Sequence, residues 1–118
     1  MESCPDTHLV YGTSPVILEK AVKTESEIGF LRQTYVDDGI ALERFLYWLE
    51  HEVAARGEVS EWEASERLTA LRAEIPGYRG NSFENISAYG ANAALPHYTT
   101  PEHGSAMIRP EGLYLVDS

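Results

Sequence analysis

The sequence predicts an α+β domain in which a helical hairpin is followed by antiparallel strands. Three observations lead to that class. Two capping boxes, Thr24-Glu25-Ser26-Glu27 and Ser60-Glu61-Trp62-Glu63, each open an apolar stripe at helical spacing. After Gly80 the helical period gives way to short β-prone runs bounded by glycine and proline. The helices precede the strands instead of alternating with them, which argues against a parallel α/β sheet.

Along the chain, residues 1–20 read as a polar leader and linker with one short strand from the apolar pieces His8-Leu9-Val10-Tyr11 and Val16-Ile17-Leu18. Pro15 biases Ser14 toward an extended shape. The first box then starts a long helix. Thr24 accepts from the amide three residues on, and Glu27 reaches back. Ile28, Leu31, Tyr35, Leu42, Phe45, Leu49 and Val53 fall on one face. Val36, Ile40, Leu46 and Trp48 widen that face, so the helix is expected to be covered on more than one side. Gly29 and Gly39 weaken it by up to ~1 kcal/mol each and mark expected close packing against a neighbour. The helix ends at Arg56-Gly57.

The second box starts the next helix, with Ser60 as cap, Glu63 at the third helical position and a weak Val59–Ala64 staple. Ala64, Leu68, Leu71 and Ile75 give its stripe, and Pro76-Gly77 closes it. Beyond Gly80 we expect a strand over Phe83–Tyr89, a turn at Gly90-Ala91-Asn92 and an edge piece over Ala93–Pro96. A polar loop follows to Ala106. Met107-Ile108 pairs briefly, and a final strand covers Leu113–Asp117. There is no internal repeat and no low-complexity segment.

Composition narrows the function. Hydrophobic residues make up 43% of the 118, enough for one packed domain. The net charge of −10 repels phosphate backbones, so nucleic-acid binding is disfavoured. That acidity is spread over the helical half, as solvated helix faces would be. The single cysteine, Cys4, cannot form an internal disulfide, which fits a reducing, cytoplasmic setting. No apolar run approaches ~18 residues, so no membrane helix is predicted. Met1–Asp6 is polar and acidic, unlike a secretory leader. In that setting the sequon Asn85-Ile86-Ser87 is a chance match.

Two residues stand out chemically. Asp117 ends the apolar run Leu113–Val116. If the alternation is regular it shares a face with Leu113 and Leu115, where a carboxylate is costly unless paired; a metal ion is one such partner. His97 lies in a Pro-His-Tyr turn. Taken alone, Asp117 is most simply a strand-end carboxylate in solvent, and His97 a turn histidine bonded to backbone. His8, His51 and His103 have no metal-ligand spacing. The chain contains no HExxH, GxSxG, P-loop or CxxC.

A resemblance sharpens this. The relevant blocks are Ser14-Pro15 with Lys20–Lys23 and Glu27-Ile28, then Phe45–Glu50, then Ser82–Ser87, Gly90–Tyr98 and Leu113–Ser118. On these blocks the chain, from about Thr13 to Ser118, resembles the cytosolic Xaa-Pro aminopeptidases (aminopeptidase P). These are metallopeptidases of the pita-bread fold shared with methionine aminopeptidase, prolidase and creatinase. The resemblance implies that Asp117 is the first metal ligand and His97 a histidine facing the substrate near the scissile bond. It implies two divalent metal ions, Mn²⁺ by family habit, held by two Asp, one His and two Glu. It also implies a peptide substrate with proline at the second position, and a homodimeric full-length enzyme with no membrane or nucleic-acid partner.

In the family pattern four of the five metal ligands lie beyond Ser118, and creatinase-like domains precede Ser14-Pro15. Residues 1–20 are therefore expected to be a linker from an N-terminal domain, and residues 21–118 the first, truncated part of the catalytic domain. Such a piece is expected to be inactive alone, to bind no metal tightly, and to self-associate through an exposed last strand or be only partly folded. Two other readings stay open. One is a non-catalytic pita-bread module that binds peptides or proteins; retention of both His97 and Asp117 leans against it. The other is a prolidase- or creatinase-type hydrolase; the long-helix motif and the Pro-His-Tyr block favour the aminopeptidase.

Overall fold

The computed structural model describes residues 11–118. Cys4, His8 and the rest of the leader lie outside the described residues. The chain divides into two compact units, one ending at Arg32 and the other running from Gln33 to Ser118.

In the first unit, Pro15–Ala21 is an α-helix (α1), where a linker without helical period is expected. Ser14 is extended, as Pro15 requires, with ψ 129°. Proline at the first helical position lacks only an N–H that would have no intrahelical partner, so it starts a helix as readily as it prevents one. The second helix, α2, spans Glu25–Arg56. Its capping box forms in full. The Thr24 N–H donates to Glu27 Oε2 at 2.7 Å, and the Glu27 N–H donates to Thr24 Oγ1 at 3.3 Å. That geometry holds the Glu27 carboxyl below its usual pKa, chiefly through the Thr24 amide.

The second unit contains the core. From α2 it takes only one stripe, Ala41, Phe45, Leu49 and Val53. Val36, Ile40 and Leu46 are exposed, so the expected second covered face is not present among the described residues. Gly39 likewise has nothing near it, and neither has Gly29 in the first unit; neither marks a close approach. Gly57, at φ 84°, ends α2 by donating its N–H to the Val53 carbonyl.

A strand of two residues, Val59–Ser60 (β1), precedes α3, Glu61–Ala73. β1 is too short to leave a period in the sequence. Ser60 Oγ accepts from the Glu63 N–H at 3.0 Å, but the reciprocal half of this box is missing. Glu63 turns instead to Arg56, at 2.5 Å. Ala64, Leu68 and Leu71 meet the α2 stripe. The two helices run antiparallel: Asp38, Arg44 and Arg56 of α2 pair with Arg72, Glu74 and Glu63 in turn.

Four short strands make two two-stranded sheets. Met107–Ile108 (β3) pairs antiparallel with β1, Val59 opposite Ile108. Ile86–Tyr89 (β2) pairs antiparallel with Tyr114–Asp117 (β4), Ile86 opposite Asp117 and Tyr89 opposite Tyr114. β2 is shorter than the predicted Phe83–Tyr89. Residues before Ile86 are tied instead to α3 by side chains: Asn85 donates to the Ser65 carbonyl at 3.1 Å and to Thr69 Oγ1 at 2.9 Å. Asn85 is buried with its amide nitrogen engaged, so the sequon it heads is unavailable to a glycan.

The predicted turn and edge piece over 90–96 are replaced by a 3-10 helix, Gly90–Ala94. The turn at Gly112 admits no side chain. Its φ is 95°, and a Cβ there would lie 2.9 Å from Tyr89 Oη.

The edges of the β2–β4 sheet differ. On β2, Ser87 donates its N–H to Thr100 Oγ1 and Thr100 donates to the Ser87 carbonyl; the Tyr89 N–H donates to Glu61. Those groups point away from β4. Ile86 and Ala88 therefore carry the ladder to Asp117 and Leu115, in phase with the Gly90 N–H to Leu113 carbonyl bond. By the same alternation, the Tyr114 and Val116 amides face outward, where no described residue pairs with them.

Candidate functional site

The site is organised from the first residue of α3. Glu61 is fully buried. Its Oε1 accepts from the Tyr89 N–H at 2.6 Å and from Asn92 Nδ2 at 3.0 Å. Its Oε2 accepts from Tyr98 Oη at 2.8 Å and from the Ala106 N–H at 3.2 Å. Asn92 Nδ2 also reaches Tyr98 Oη at 3.0 Å. The Glu61 backbone is fixed as well: its N–H donates to the Ala106 carbonyl, and its carbonyl accepts from Ser87 Oγ at 2.7 Å. One carboxylate thus ties the end of β2, the 3-10 helix, the turn at Tyr98 and the strand entry at Ala106 to one helix start. Burial and the Glu61 contact raise the Tyr98 phenol to about 12. Burial likewise raises Tyr114 to about 12.

His97 sits inside this frame, one residue before Tyr98. It is the one non-glycine residue with positive φ among the described residues, at 57°. Histidine in that region is uncommon and is held there by its surroundings. Its side chain is exposed and lines a cavity of about 410 Å³ with Trp62, Asn81, Phe83, Ile86 and Tyr98. Its imidazole makes no hydrogen bond to a described residue, so the bland reading of a backbone-bonded turn histidine does not hold.

Asp117 stands on β4 opposite Ile86, a residue that also lines the His97 cavity. It shares a face with Leu115, as the alternation predicts, but that face is open. Asp117 is exposed and Leu115 is 40% exposed. The expectation of a buried carboxylate is therefore corrected. The residues of β4 that pack on the core are Tyr114 and Val116. Among the described residues no group of three or more His, Cys, Asp or Glu side chains is arranged to hold a metal ion. Asp117 offers one unpartnered oxygen donor group, suited to one bond of a hard cation, and not a dinuclear set.

Sequence reasoning missed Glu61. It lies in the acidic first turn of a helix, where glutamates are ordinary, and no period or motif separates it from Glu63. Only its burial does.

Residues 31–118 match the model of metallopeptidase family M24. The chain belongs to this family. A Verticillium alfalfae protein named "Probable Xaa-Pro aminopeptidase P" is 48% identical over 101 residues, covering 84% of this chain and 16% of that protein. A Pyricularia oryzae protein of the same name is 42% identical over 106 residues, 89% of this chain and 17% of its own length. Among solved structures, the X-prolyl aminopeptidase of Caenorhabditis elegans, a cytosolic enzyme with a di-nuclear active site, superposes with a TM-score of 0.84 at 36% identity. It is covered over 17% of its length, and this chain over 89%. The α+β, pita-bread assignment therefore stands, and this M24 chain spans about a sixth of the length of those relatives. Among the described residues no helix is long and apolar enough to cross a membrane.

Proposed function

We propose that this M24 chain supplies the opening part of the catalytic domain of an Xaa-Pro aminopeptidase, which removes the N-terminal residue preceding a proline. Residues 1–20 act as linker and 21–118 as catalytic-domain sequence. The observation that carries the reading is His97, an unpartnered imidazole held in a left-handed turn at the mouth of a cavity. An imidazole so placed binds the peptide near its scissile bond and takes or gives a proton there. Asp117 serves as one ligand of a two-metal centre, and manganese is the ion we assign, since a carboxylate-rich donor set suits a hard cation. When bound, the metals polarise the scissile carbonyl and activate water. The described residues supply one carboxylate of that set, and we expect no activity from them alone. The assembled enzyme acts as a cytoplasmic homodimer.

The test is a chimera in which residues 13–118 replace the matching segment of the C. elegans enzyme. The expected result is manganese-dependent release of the first residue from an Xaa-Pro peptide. Asp117→Asn should lower that activity by ~100-fold or more, and His97→Ala by at least ~10²-fold in kcat. A folded, metal-loaded chimera indifferent to both substitutions would defeat the proposal.

A further inference from the structure

We propose that Glu61 is a positioning residue whose buried carboxylate holds the Gly90–Tyr98 loop in the conformation that presents His97 to the cavity. The proposal rests on the reading of His97 as the residue that meets the peptide, and extends it to a side chain that touches no substrate.

Burying the Glu61 carboxylate is costly. A carboxylate taken out of water loses several kcal/mol of hydration even after the protein relaxes around it. No described Lys, Arg or His forms an ion pair with it. Four donors compensate: the Tyr89 and Ala106 amides, Asn92 Nδ2 and Tyr98 Oη. A residue needed only to fill the core would be better apolar, as the buried Leu68 and Val59 are.

The second observation is where the donors sit. Asn92 precedes His97 and Tyr98 follows it, and both end on the same carboxylate, Asn92 Nδ2 on its two oxygens and Tyr98 Oη on Oε2. His97 between them has φ 57°, a conformation that persists only where the surroundings over-determine it. No bond of the His97 ring contributes, so the flanking anchors do the holding. An acceptor-only group is required for the task. Glutamine at this position would keep the shape, but it would offer one acceptor oxygen and set an NH₂ against donors.

The 118-residue chain, isotopically labelled, tests this without any enzyme assay. Two readouts report on the His97 turn: the hydrogen-exchange rate of the Tyr98 amide, and the one-bond Cα–Hα coupling of His97, which senses the sign of φ. In Glu61→Gln, exchange at the Tyr98 amide, which donates to the Leu95 carbonyl, should rise at least tenfold relative to Ala88 and Leu115, and the positive-φ signature of His97 should be lost. Tyr98→Phe removes one of the four donors and should move both readouts the same way by a smaller amount. Leu68→Ala, a core deletion away from the loop, should lower the melting temperature and leave both unchanged. Retention of the positive φ in Glu61→Gln, or equal loosening of His97 by Leu68→Ala, overturns the proposal. Should Glu61→Gln fail to fold, Tyr98→Phe and Asn92→Ala decide it, and no change at His97 in either counts against it. In the chimera, Glu61→Gln should lower kcat at least tenfold with KM within threefold. Loosened His97 with unchanged kcat would retire the catalytic reading of His97 while leaving the hold of Glu61 on the loop established.

Discussion

His97 occupies a backbone region that glycine adopts at almost no steric cost and other residues enter at about 1–2 kcal/mol. Replacing it with glycine should therefore leave stability unchanged or raise it by up to about 1 kcal/mol, read as a higher melting temperature, while abolishing activity in the chimera. A fall in melting temperature would mean that the imidazole itself contributes to packing. The position of His97 and its turn are legible in Pro96-His97-Tyr98, and its family role follows from the surrounding block. Its left-handed backbone is not legible, because that conformation is imposed by Glu61 through Asn92 and Tyr98. Asp117 shows the converse. Alternation correctly places it with Leu115, but which face of a strand becomes buried depends on elements distant in sequence, here the core that receives Tyr114 and Val116.

At the scale of elements, the helical hairpin is the most readable part of the chain. Both caps, the α3 stripe, the Phe45, Leu49 and Val53 part of the α2 stripe and the glycine stop after Arg56 follow from spacing alone, whereas Leu31 and Tyr35 of the expected α2 stripe are exposed. The errors lie where local signals compete. Pro15 starts a helix where a linker is expected, and Gly90–Ala94 winds into a 3-10 helix instead of turning into an edge piece. The three α2–α3 ion pairs differ in expected strength. Arg72 is 8% exposed and is held by Asp38 through two bonds, at 2.7 and 3.1 Å. Asp38→Ala strands that guanidinium and should cost about 1–3 kcal/mol in denaturant unfolding. Arg44 and Glu74 are both half exposed, so Glu74→Ala should cost less than about 1 kcal/mol. Equal losses from the two would contradict this ranking. Phe45→Ala, at the fully buried centre of the α2 stripe, should cost about 3–5 kcal/mol.

For the molecule as a whole, alkaline pH is the informative variable. Tyr98 and Tyr114 each hold their proton up to about 12 in the folded chain, against 10 for the ordinary phenol. Between those values the unfolded state has released protons that the folded state retains. Their contribution to stability is complete below pH 10 and is lost as pH rises through 12. Melts taken from pH 9 to 12 should show that decline, and Tyr98→Phe should flatten part of it. Composition made a packed, acidic chain legible, but not its two small sheets. β1 and β3 have two residues each, and their pairing joins positions 59 and 108, distant in sequence. The unequal edges of the β2–β4 sheet give that sheet a valence of one. Thr100 and Glu61 occupy the outer amides of β2, so a further strand finds bonding partners only beside β4. Two copies joining there would be related by a two-fold axis, and each would present only a closed margin to a third. We therefore expect any association through this sheet to stop at a pair and not to propagate into a fibre. Sedimentation across a concentration series would show a ceiling at the dimer.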